Sequence, residues 1–161
     1  MKIRKATIND LEELTKIEAE CFPATEAATK ESFRGRLEIY PDFFWILENE
    51  DGKIVSFVNG MTTNDRILTD EMFENPKLHD ENGDWQMIFG VNTLPEFRRR
   101  GYAEKVLRKV VEDAKSAGRK GVVLTCKDRL VPFYEKIGFV NEGLSESTHG
   151  GAVWYNMRII F

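Results

Sequence analysis

Apolar side chains recur along much of the chain at the spacings that are typical of helices. Leu11, Leu14 and Ile17 lie three and four residues apart, and Thr7 or Asn9 is placed to cap the helix that they predict. A longer series of the same kind follows Ala103. This pattern predicts a second amphipathic helix that ends at Gly118. Between them, "ATKESFRGRLEIYP" predicts a further helix, interrupted by Gly35, and "LVPFYEKI" a short one that ends at Gly138.

The apolar runs between the helical segments predict strands. Two runs flank Asp51-Gly52, a pair that favours a tight hairpin. "WQMIFGVNTL" and "GVVLTC" are nearly continuous apolar runs, as in strands that are covered on both faces. "FVNEGLSES" and "AVWYNMRIIF" predict two closing strands, joined by "THGG". The whole chain, residues 1–161, is therefore predicted to form a single α/β domain with a mixed central sheet flanked by helices.

Composition and charge exclude several classes of partner and cofactor. A net charge of −4 argues against broad binding to nucleic acid or to an anionic membrane. No stretch approaches the roughly 20 apolar residues that span a bilayer, and the amino terminus lacks a signal-peptide core, so a cytoplasmic protein is expected. Cys21 and Cys126 are expected to be buried free thiols. With His79 and His149 as the only histidines, no metal site is expected.

The segment "PEFRRRGYA" predicts a turn between a strand and the long helix. Backbone N–H groups at the start of a helix bind anions, and Gly101 permits a close approach of the backbone. The patterns GxGxxG and GxxxxGK[ST] are absent, so neither a dinucleotide fingerprint nor a P-loop is supported. From the turn alone, a phosphate site and a solvated helix start both remain open.

Two motifs together resemble the GNAT superfamily of acetyltransferases. In its acetyl-CoA motif, Arg or Gln is followed by two variable residues, Gly, one variable residue, and Gly or Ala; residues 98–103 fill this pattern. Downstream, "LTCKDRLVPFYEKIGF" resembles the strand and helix that carry "FYEKxGF". The resemblance implies a GNAT fold in which a splayed strand receives pantetheine and the turn holds pyrophosphate. It assigns acetyl-CoA binding to Val91, Asn92, Thr93, Arg99, Arg100, Gly101, Tyr102, Ala103 and Glu104.

The same resemblance suggests the groups that carry the chemistry. It implies that Tyr134 protonates the departing sulfur of CoA; the other interpretation is a core-edge tyrosine packed by Phe133 and Phe139. "LTCKDRLVPFY" is similar to the arylalkylamine N-acetyltransferase branch. However, Met87 and Phe89 stand where serotonin-acetylating members have histidines, which puts serotonin in doubt.

The base that deprotonates the acceptor is not identified by any spacing. His149 is the first candidate, in the loop between the closing strands. A surface turn is its other interpretation. Glu26, Asp84, Asp128 and a water chain to backbone carbonyls are the alternatives. Cys126 lies within a predicted buried strand and is left out of the catalytic set.

An acidic stretch offers an indication of the acceptor. It contains Asp70, Glu71, Glu74, Asp80, Glu81 and Asp84. It either borders the acceptor pocket, where it would attract a cationic amine, or is a solvated loop. We expect an N-acetyltransferase for a small primary amine, a polyamine or an aralkylamine, working as a monomer or homodimer. A non-catalytic acyl-CoA-binding or sensing module and a protein amino-terminal acetyltransferase are the alternative functions.

Overall fold

The computed structural model describes residues 1–161. Its strands and helices follow one another in the order β1 (Lys2–Lys5), α1 (Leu11–Cys21), α2 (Lys30–Ile39), β2 (Phe44–Glu48), β3 (Ile54–Asn59), β4 (Thr62–Thr63), α3 (Asp70–Glu74), β5 (Trp85–Ile88), β6 (Gly90–Thr93), α4 (Tyr102–Ser116), β7 (Gly121–Cys126), α5 (Val131–Ile137), β8 (Val140–Leu144) and β9 (Tyr155–Ile160). The predicted α/β architecture with mixed pairing is confirmed. None of the helices is both long and apolar enough to cross a membrane.

The strands form two sheets. The first has the order β1-β2-β3-β6 and is antiparallel throughout. The second has the order β4-β5-β7-β9-β8, in which β5 and β7 are parallel. Only Phe89 separates β5 from β6. The single strand predicted from "WQMIFGVNTL" is therefore divided, with β5 inside one sheet and β6 at the edge of the other.

The helices cover the sheets with the apolar faces that their sequence spacing predicts. Helix α4 buries Val106, Leu107, Val110 and Ala114 against β2, β3, β6 and β7. Helix α1 buries Leu11, Leu14 and Ile17 and packs on α2 and β6. Full burial of a Val or Leu side chain contributes about 1.5–3 kcal/mol, so these faces fix both helices on the sheets. Gly118, with φ +78°, ends α4 as predicted.

One local prediction is wrong in detail. Helix α2 runs without a break through Gly35; a Cβ at this position would lie only 3.2 Å from Pro76 Cγ, so glycine allows the close packing. The predicted turn of the β2–β3 hairpin is confirmed: Gly52 has φ +78°, and its N–H donates to the Asn49 carbonyl at 3.0 Å. The Asn49 side chain also accepts hydrogen bonds from the N–H groups of Asp51 and Lys53, which stabilise the turn.

Candidate active site

Strands β6 and β7 separate at the point where β5 ends. The parallel pairing of β5 with β7 runs as far as Ile88 and Leu124. Beyond it, β6 pairs with β3 alone, and β7 pairs with β9. One edge of β6 consequently has no partner strand, and a wedge-shaped gap opens beside Val91 and Thr93. Both residues line the cleft that fills the gap.

The cleft has a volume of about 1360 Å³ and runs between two chemically different ends. We call one the phosphate end; its lining includes residues of the arginine-glycine turn, of the start of α4, of α5 and of the turn before it, namely Arg98, Arg99, Gly101, Tyr102, Ala103, Glu104, Arg129, Phe133 and Lys136. We call the other the acceptor end, which is lined by residues of α1, of the segment after it, of α3, of the β5–β6 junction and of the β8–β9 loop, namely Glu18, Glu26, Phe73, Phe89, His149 and Trp154. A single cleft thus joins an anion-binding turn to a second, partly aromatic compartment.

The arginine-glycine turn leaves an uninterrupted row of backbone donors unpaired. Arg99 has φ +64° and Gly101 has φ +79°, and no side chain caps the start of α4. None of the N–H groups from Arg99 to Glu104 donates a hydrogen bond within the protein. Arg99 is the only non-glycine residue with a positive φ, a conformation that is found mainly at functional sites. Orphan donors at the positive end of a helix are the arrangement that binds phosphate groups.

The three arginines of the turn have different surroundings. Arg98 lines the cleft and donates from Nε to the Thr93 carbonyl at 3.0 Å. Arg99 also lines the cleft. Arg100 does not; its guanidinium donates to the Glu96 carbonyl and lies over the Phe97 ring. Asn92 does not line the cleft: its side chain is fully buried, and its carbonyl accepts a hydrogen bond from Ser56 Oγ at 2.6 Å.

Tyr134 is held at the wall of the cleft by aromatic packing. Its ring makes edge contacts with Phe133 and Phe139, at centroid distances of 5.0 and 5.8 Å. The hydroxyl makes no hydrogen bond within the protein and is not sealed from solvent. Burial raises the pKa of the phenol, and nearby Cys126 adds to the rise, so the hydroxyl keeps its proton. The packing role and the proton-donor role proposed from the sequence are compatible in this position.

Both cysteines are free thiols whose protonated form is favoured. Cys126 is buried, and burial raises its pKa to about 11. Cys21 is half-buried; burial raises its pKa, and its thiol donates to the Thr93 carbonyl at 3.3 Å. A nucleophilic cysteine needs a lowered pKa, so neither thiol has the properties of an acyl carrier.

His149 forms part of the wall at the acceptor end. Its ring stacks on Phe73 with a centroid distance of 5.4 Å, and its carbonyl accepts a hydrogen bond from Trp154 Nε1 at 2.9 Å. The β8–β9 loop that carries it is fastened to α3, because the Asp70 carboxylate accepts hydrogen bonds from Ser147 Oγ and Thr148 N. The loop is therefore a fixed part of the cleft wall at this end.

The other three candidate bases are separated by the fold. The Glu26 carboxylate lies in the cleft wall, 2.8 Å from Lys127 Nζ. Asp84 forms an ion pair with Lys120 away from the cleft, and Asp128 starts the short turn before α5 without lining the cleft. Of these three carboxylates, the fold brings only Glu26 to the acceptor end.

The acidic stretch does not form a single wall. Glu74 lines the cleft, and Asp70 holds the β8–β9 loop. Asp80 and Glu81 instead contact Asn64 and His79, well away from the site. The side chains of His79, Asp80 and Glu81 thus belong to the scaffold.

Two charged residues of the acceptor end are not among the site residues that the sequence predicted. Glu18 and Arg36 line the cleft, although their side chains are only 6% and 3% exposed. The signal for Glu18 was available, since it lies four residues after Leu14 and follows Ile17 on the apolar stripe of α1. A carboxylate on a buried helix face requires a reason, because burying a charge without a partner is costly.

The residues of the phosphate end fit the phosphates and the pantetheine arm of an acyl-CoA. The row of free N–H groups suits pyrophosphate, and the open edge of β6 suits an extended amide chain. No group of three metal-ligating side chains is found in the structure.

Comparisons with known proteins agree with this geometry. Residues 11–139 match the model of the acetyltransferase (GNAT) family. The chain is 29% identical over 110 residues to serotonin N-acetyltransferase from Mesocricetus auratus, a match that covers 68% of this chain and 52% of that relative. The chain therefore spans about half the length of this curated relative.

Two solved structures have closely similar folds at about 21% identity. The loading GNATL domain of CurA from Lyngbya majuscula superposes with a TM-score of 0.84 over 99% of this chain and 96% of that one. The GphF GNAT-like decarboxylase in complex with isobutyryl-CoA gives a TM-score of 0.79 over 99% of both chains. At this identity the likeness concerns the fold. Together with the family match, it shows that the chain is a member of the GNAT family of acetyltransferases.

Proposed function

We propose that the protein transfers the acetyl group of acetyl-CoA to the nitrogen of a small primary amine, such as a polyamine or an aralkylamine. The observation that carries this proposal is the single cleft, in which the free N–H groups of residues 99–104 and the hydroxyl of Tyr134 face one continuous space. A non-catalytic acyl-CoA sensor would need the first feature only.

Residues of the phosphate end would hold the cofactor. The N–H groups of Arg99 to Glu104 would donate to its pyrophosphate, with charge from Arg98 and Arg99. The backbone groups of Val91 and Thr93 would pair with pantetheine as an added strand would, while Asn92 between them stays paired with β3. These contacts direct the thioester toward the acceptor end.

Tyr134 would act as the general acid of the transfer. When the amine attacks the thioester carbonyl, the carbon–sulfur bond breaks and its electron pair stays on sulfur. A phenol that is kept protonated by burial can give its proton to this thiolate. The serotonin N-acetyltransferase relative supports an amine acceptor, and Met87 and Phe89 leave serotonin itself doubtful.

The fixed aromatic wall of the acceptor end supports a small acceptor over a peptide. The β8–β9 loop is fastened on one side to Asp70 and on the other to the segment that contains Glu26. Aromatic rings of Phe73, Phe89 and Trp154 line the enclosed space, and such rings favour organic cations. A protein amino terminus would require an open groove at this position.

The experiment is a thiol-release assay with acetyl-CoA and a panel of polyamines, aralkylamines, amino sugars and short peptides. Turnover with a small amine and none with peptides is the expected result. Activity with peptides alone would select the amino-terminal acetyltransferase. Tight acetyl-CoA binding by calorimetry with no turnover on any acceptor would select the sensor.

A further inference from the structure

A pocket of unpaired polar atoms lies against Gly90, where the two sheets part. A Cβ at Gly90 would lie 3.3 Å from Asn92 Nδ2 and 3.6 Å from both Asn59 Nδ2 and Glu18 Oε1. These three atoms are buried and have no hydrogen-bond partner by distance and angle, and the nearby Asn92 amide helps to oppose the rise that burial causes in the pKa of Glu18. An unpaired buried polar atom is costly, so this arrangement indicates a polar ligand or water as the missing partner.

Glu18 is held so that only one of its carboxylate oxygens is free. Oε2 accepts a hydrogen bond from the Ala28 N–H at 2.9 Å. Oε1 has no partner and lies beside Gly90, which lines the cleft at the start of the gap between β6 and β7. The backbone bond fixes the carboxylate in place, with the unpaired oxygen buried beside Gly90 at the start of this gap.

Arg36 supplies a fixed positive charge near Glu18 without neutralising it by direct contact. Its guanidinium donates to Asn59 Oδ1 at 2.8 Å and to the Phe73 carbonyl at 2.9 Å, and it packs over the Phe89 ring. No ion pair joins it to Glu18. The carboxylate is thus favoured electrostatically while its free oxygen stays available.

The other charged and titratable groups near Glu18 are few. Arg36 faces it from α2, His149 from the β8–β9 loop, and the thiol of Cys21 from its own helix. Burial raises the pKa of Glu18, while the Ala28 hydrogen bond and the charge of Arg36 oppose the rise. A carboxyl group with a raised pKa is a better proton acceptor near neutral pH than an ordinary exposed one.

We infer that Glu18 receives the proton of the acceptor's ammonium group at the polar cluster beside Gly90, a role that rests on the proposed acetyl transfer. The N–H bond of the ammonium breaks, and its proton passes to the buried Glu18 Oε1 through a water molecule. The neutral amine then attacks the thioester, and the Tyr134 proton goes to sulfur. The proton that the new amide nitrogen loses returns to Tyr134 through solvent, and Glu18 gives its own proton to solvent.

The test compares two acceptors of the same shape that differ in basicity. One is the alkylamine that wild-type enzyme uses best; the other is its alkoxyamine, in which oxygen replaces the carbon next to nitrogen, so that the nitrogen is already neutral at pH 7. In Glu18→Gln, we expect kcat/KM for the alkylamine to fall by roughly 100-fold or more. The value for the alkoxyamine should stay close to wild type, because no proton must be removed before attack.

The matched control is Glu20→Gln, which makes the same change on the exposed side of the same helix. It should leave both rates unchanged. An amide oxygen at position 18 can still accept from the Ala28 N–H, and the melting temperature and acetyl-CoA affinity report whether the fold persists. If Glu18→Gln does not fold, Glu18→Asp keeps the charge but withdraws the carboxylate by one methylene, and the same selective loss is expected.

Equal losses with both acceptors, or no loss with either, would overturn the role of Glu18 while leaving the acetyl transfer intact. Absence of wild-type turnover with any amine would instead overturn the proposed function, and this inference with it. The two failures are therefore distinguished by the wild-type reaction alone.

Discussion

The imidazole of His149 donates its Nε2 hydrogen to the backbone carbonyl of Glu26 at 2.9 Å. A carbonyl oxygen only accepts hydrogen bonds, so in the neutral ring Nε2 carries the hydrogen and Nδ1 is the free acceptor. Nδ1 makes no hydrogen bond within the protein. The contact therefore ties the β8–β9 loop to the segment after α1 and leaves one nitrogen of His149 available to a ligand.

Replacing His149 by Ala should weaken amine binding more than acetyl-CoA binding. The substitution removes the link between the β8–β9 loop and residue 26 as well as the stacking on Phe73. We expect KM for the amine to rise roughly tenfold or more, about the loss of one good contact, with an unchanged Kd for acetyl-CoA. Steady-state rates and calorimetry would measure the two effects. Because Glu18 receives the amine's proton in the inferred reaction, kcat should change much less than KM, and a large loss of kcat would favour His149 as the base instead.

The other histidine offers the opposite result and serves as the control. His79 Nδ1 accepts a hydrogen bond from the Thr62 N–H at 3.1 Å, and the ring packs on Tyr40 and Phe43. His79→Ala should lower the free energy of unfolding by about 1–3 kcal/mol, because a buried N–H loses its acceptor. Denaturant melts should show this loss, and the kinetic constants should not change. A kinetic effect equal to that of His149→Ala would contradict the assignment of His149 to the site.

Tyr134→Phe should reduce turnover without affecting cofactor binding. The variant keeps the ring that packs on Phe133 and Phe139 and removes only the hydroxyl, which has no partner within the protein. We expect kcat to fall roughly 100-fold or more, with the Kd for acetyl-CoA preserved. Tyr155→Phe, on β9 outside the cleft, is the matched control. Unchanged kcat in Tyr134→Phe would remove this residue from the mechanism.

The pH dependence of turnover should reflect the raised pKa of Tyr134. Burial raises this pKa above the ordinary tyrosine value, and the residue would act in its protonated form. Its contribution is therefore complete below the ordinary pKa near 10 and is lost only as the pH rises through the higher folded value. Up to about pH 10, kcat of the wild-type protein should therefore show no decline caused by Tyr134. Any decline in this range should also appear in Tyr134→Phe.

Gly101 and Gly118 form a natural pair for separating backbone strain from binding. They lie at opposite ends of α4 with φ of +79° and +78°, and a Cβ at either position would meet no atom within 4 Å. Gly101→Ala and Gly118→Ala should each cost about 1–2 kcal/mol of stability through the left-handed backbone alone. Only Gly101→Ala should also weaken acetyl-CoA binding, roughly tenfold, because it shifts the donors of residues 99–104. Equal affinities in the two variants would argue against the turn as the phosphate site.

Asp10→Asn should be destabilising at neutral pH and harmless in acid. Burial raises the pKa of Asp10, but hydrogen bonds from Arg4 and from the Thr7 N–H lower it more, so the folded pKa lies below the usual range. A carboxyl group of this kind stabilises the fold above its unfolded pKa, near 3.9, and loses that contribution as the pH falls through the folded value. Urea melts from pH 7 down to about pH 2 should show the two proteins converging. Asp51→Asn, in the exposed β2–β3 turn, should show no such convergence.

The sequence correctly predicted those elements that are determined by neighbouring residues in the chain. Val106, Leu107 and Val110 lie at helical spacing, and they are the residues that α4 buries. The turn at Gly101 and the stop at Gly118 follow from glycine alone, since each takes a positive φ. The family resemblance added the splayed strand and the place of Tyr134.

The features that sequence could not foretell depend on distant contacts. The division of residues 85–94 at Phe89 is invisible in a continuous apolar run, because such a run has no period that marks a break. Asp70 and Asp80 lie close in the chain, yet one fastens the β8–β9 loop and the other contacts Asn64. Glu18 was not predicted as a site residue because only the apolar members of the buried face of α1 indicated its orientation.

The unpaired edge of β6 bears on how the protein behaves without its cofactor. An open strand edge ordinarily invites pairing with another chain and so promotes aggregation. Here the open edge lines the cleft, together with residues of β7 and of the start of α4. A cofactor arm seated there would serve as a temporary extra strand. Loading with acyl-CoA should therefore raise the melting temperature and protect the N–H groups of Val91 and Thr93 from exchange with solvent deuterium.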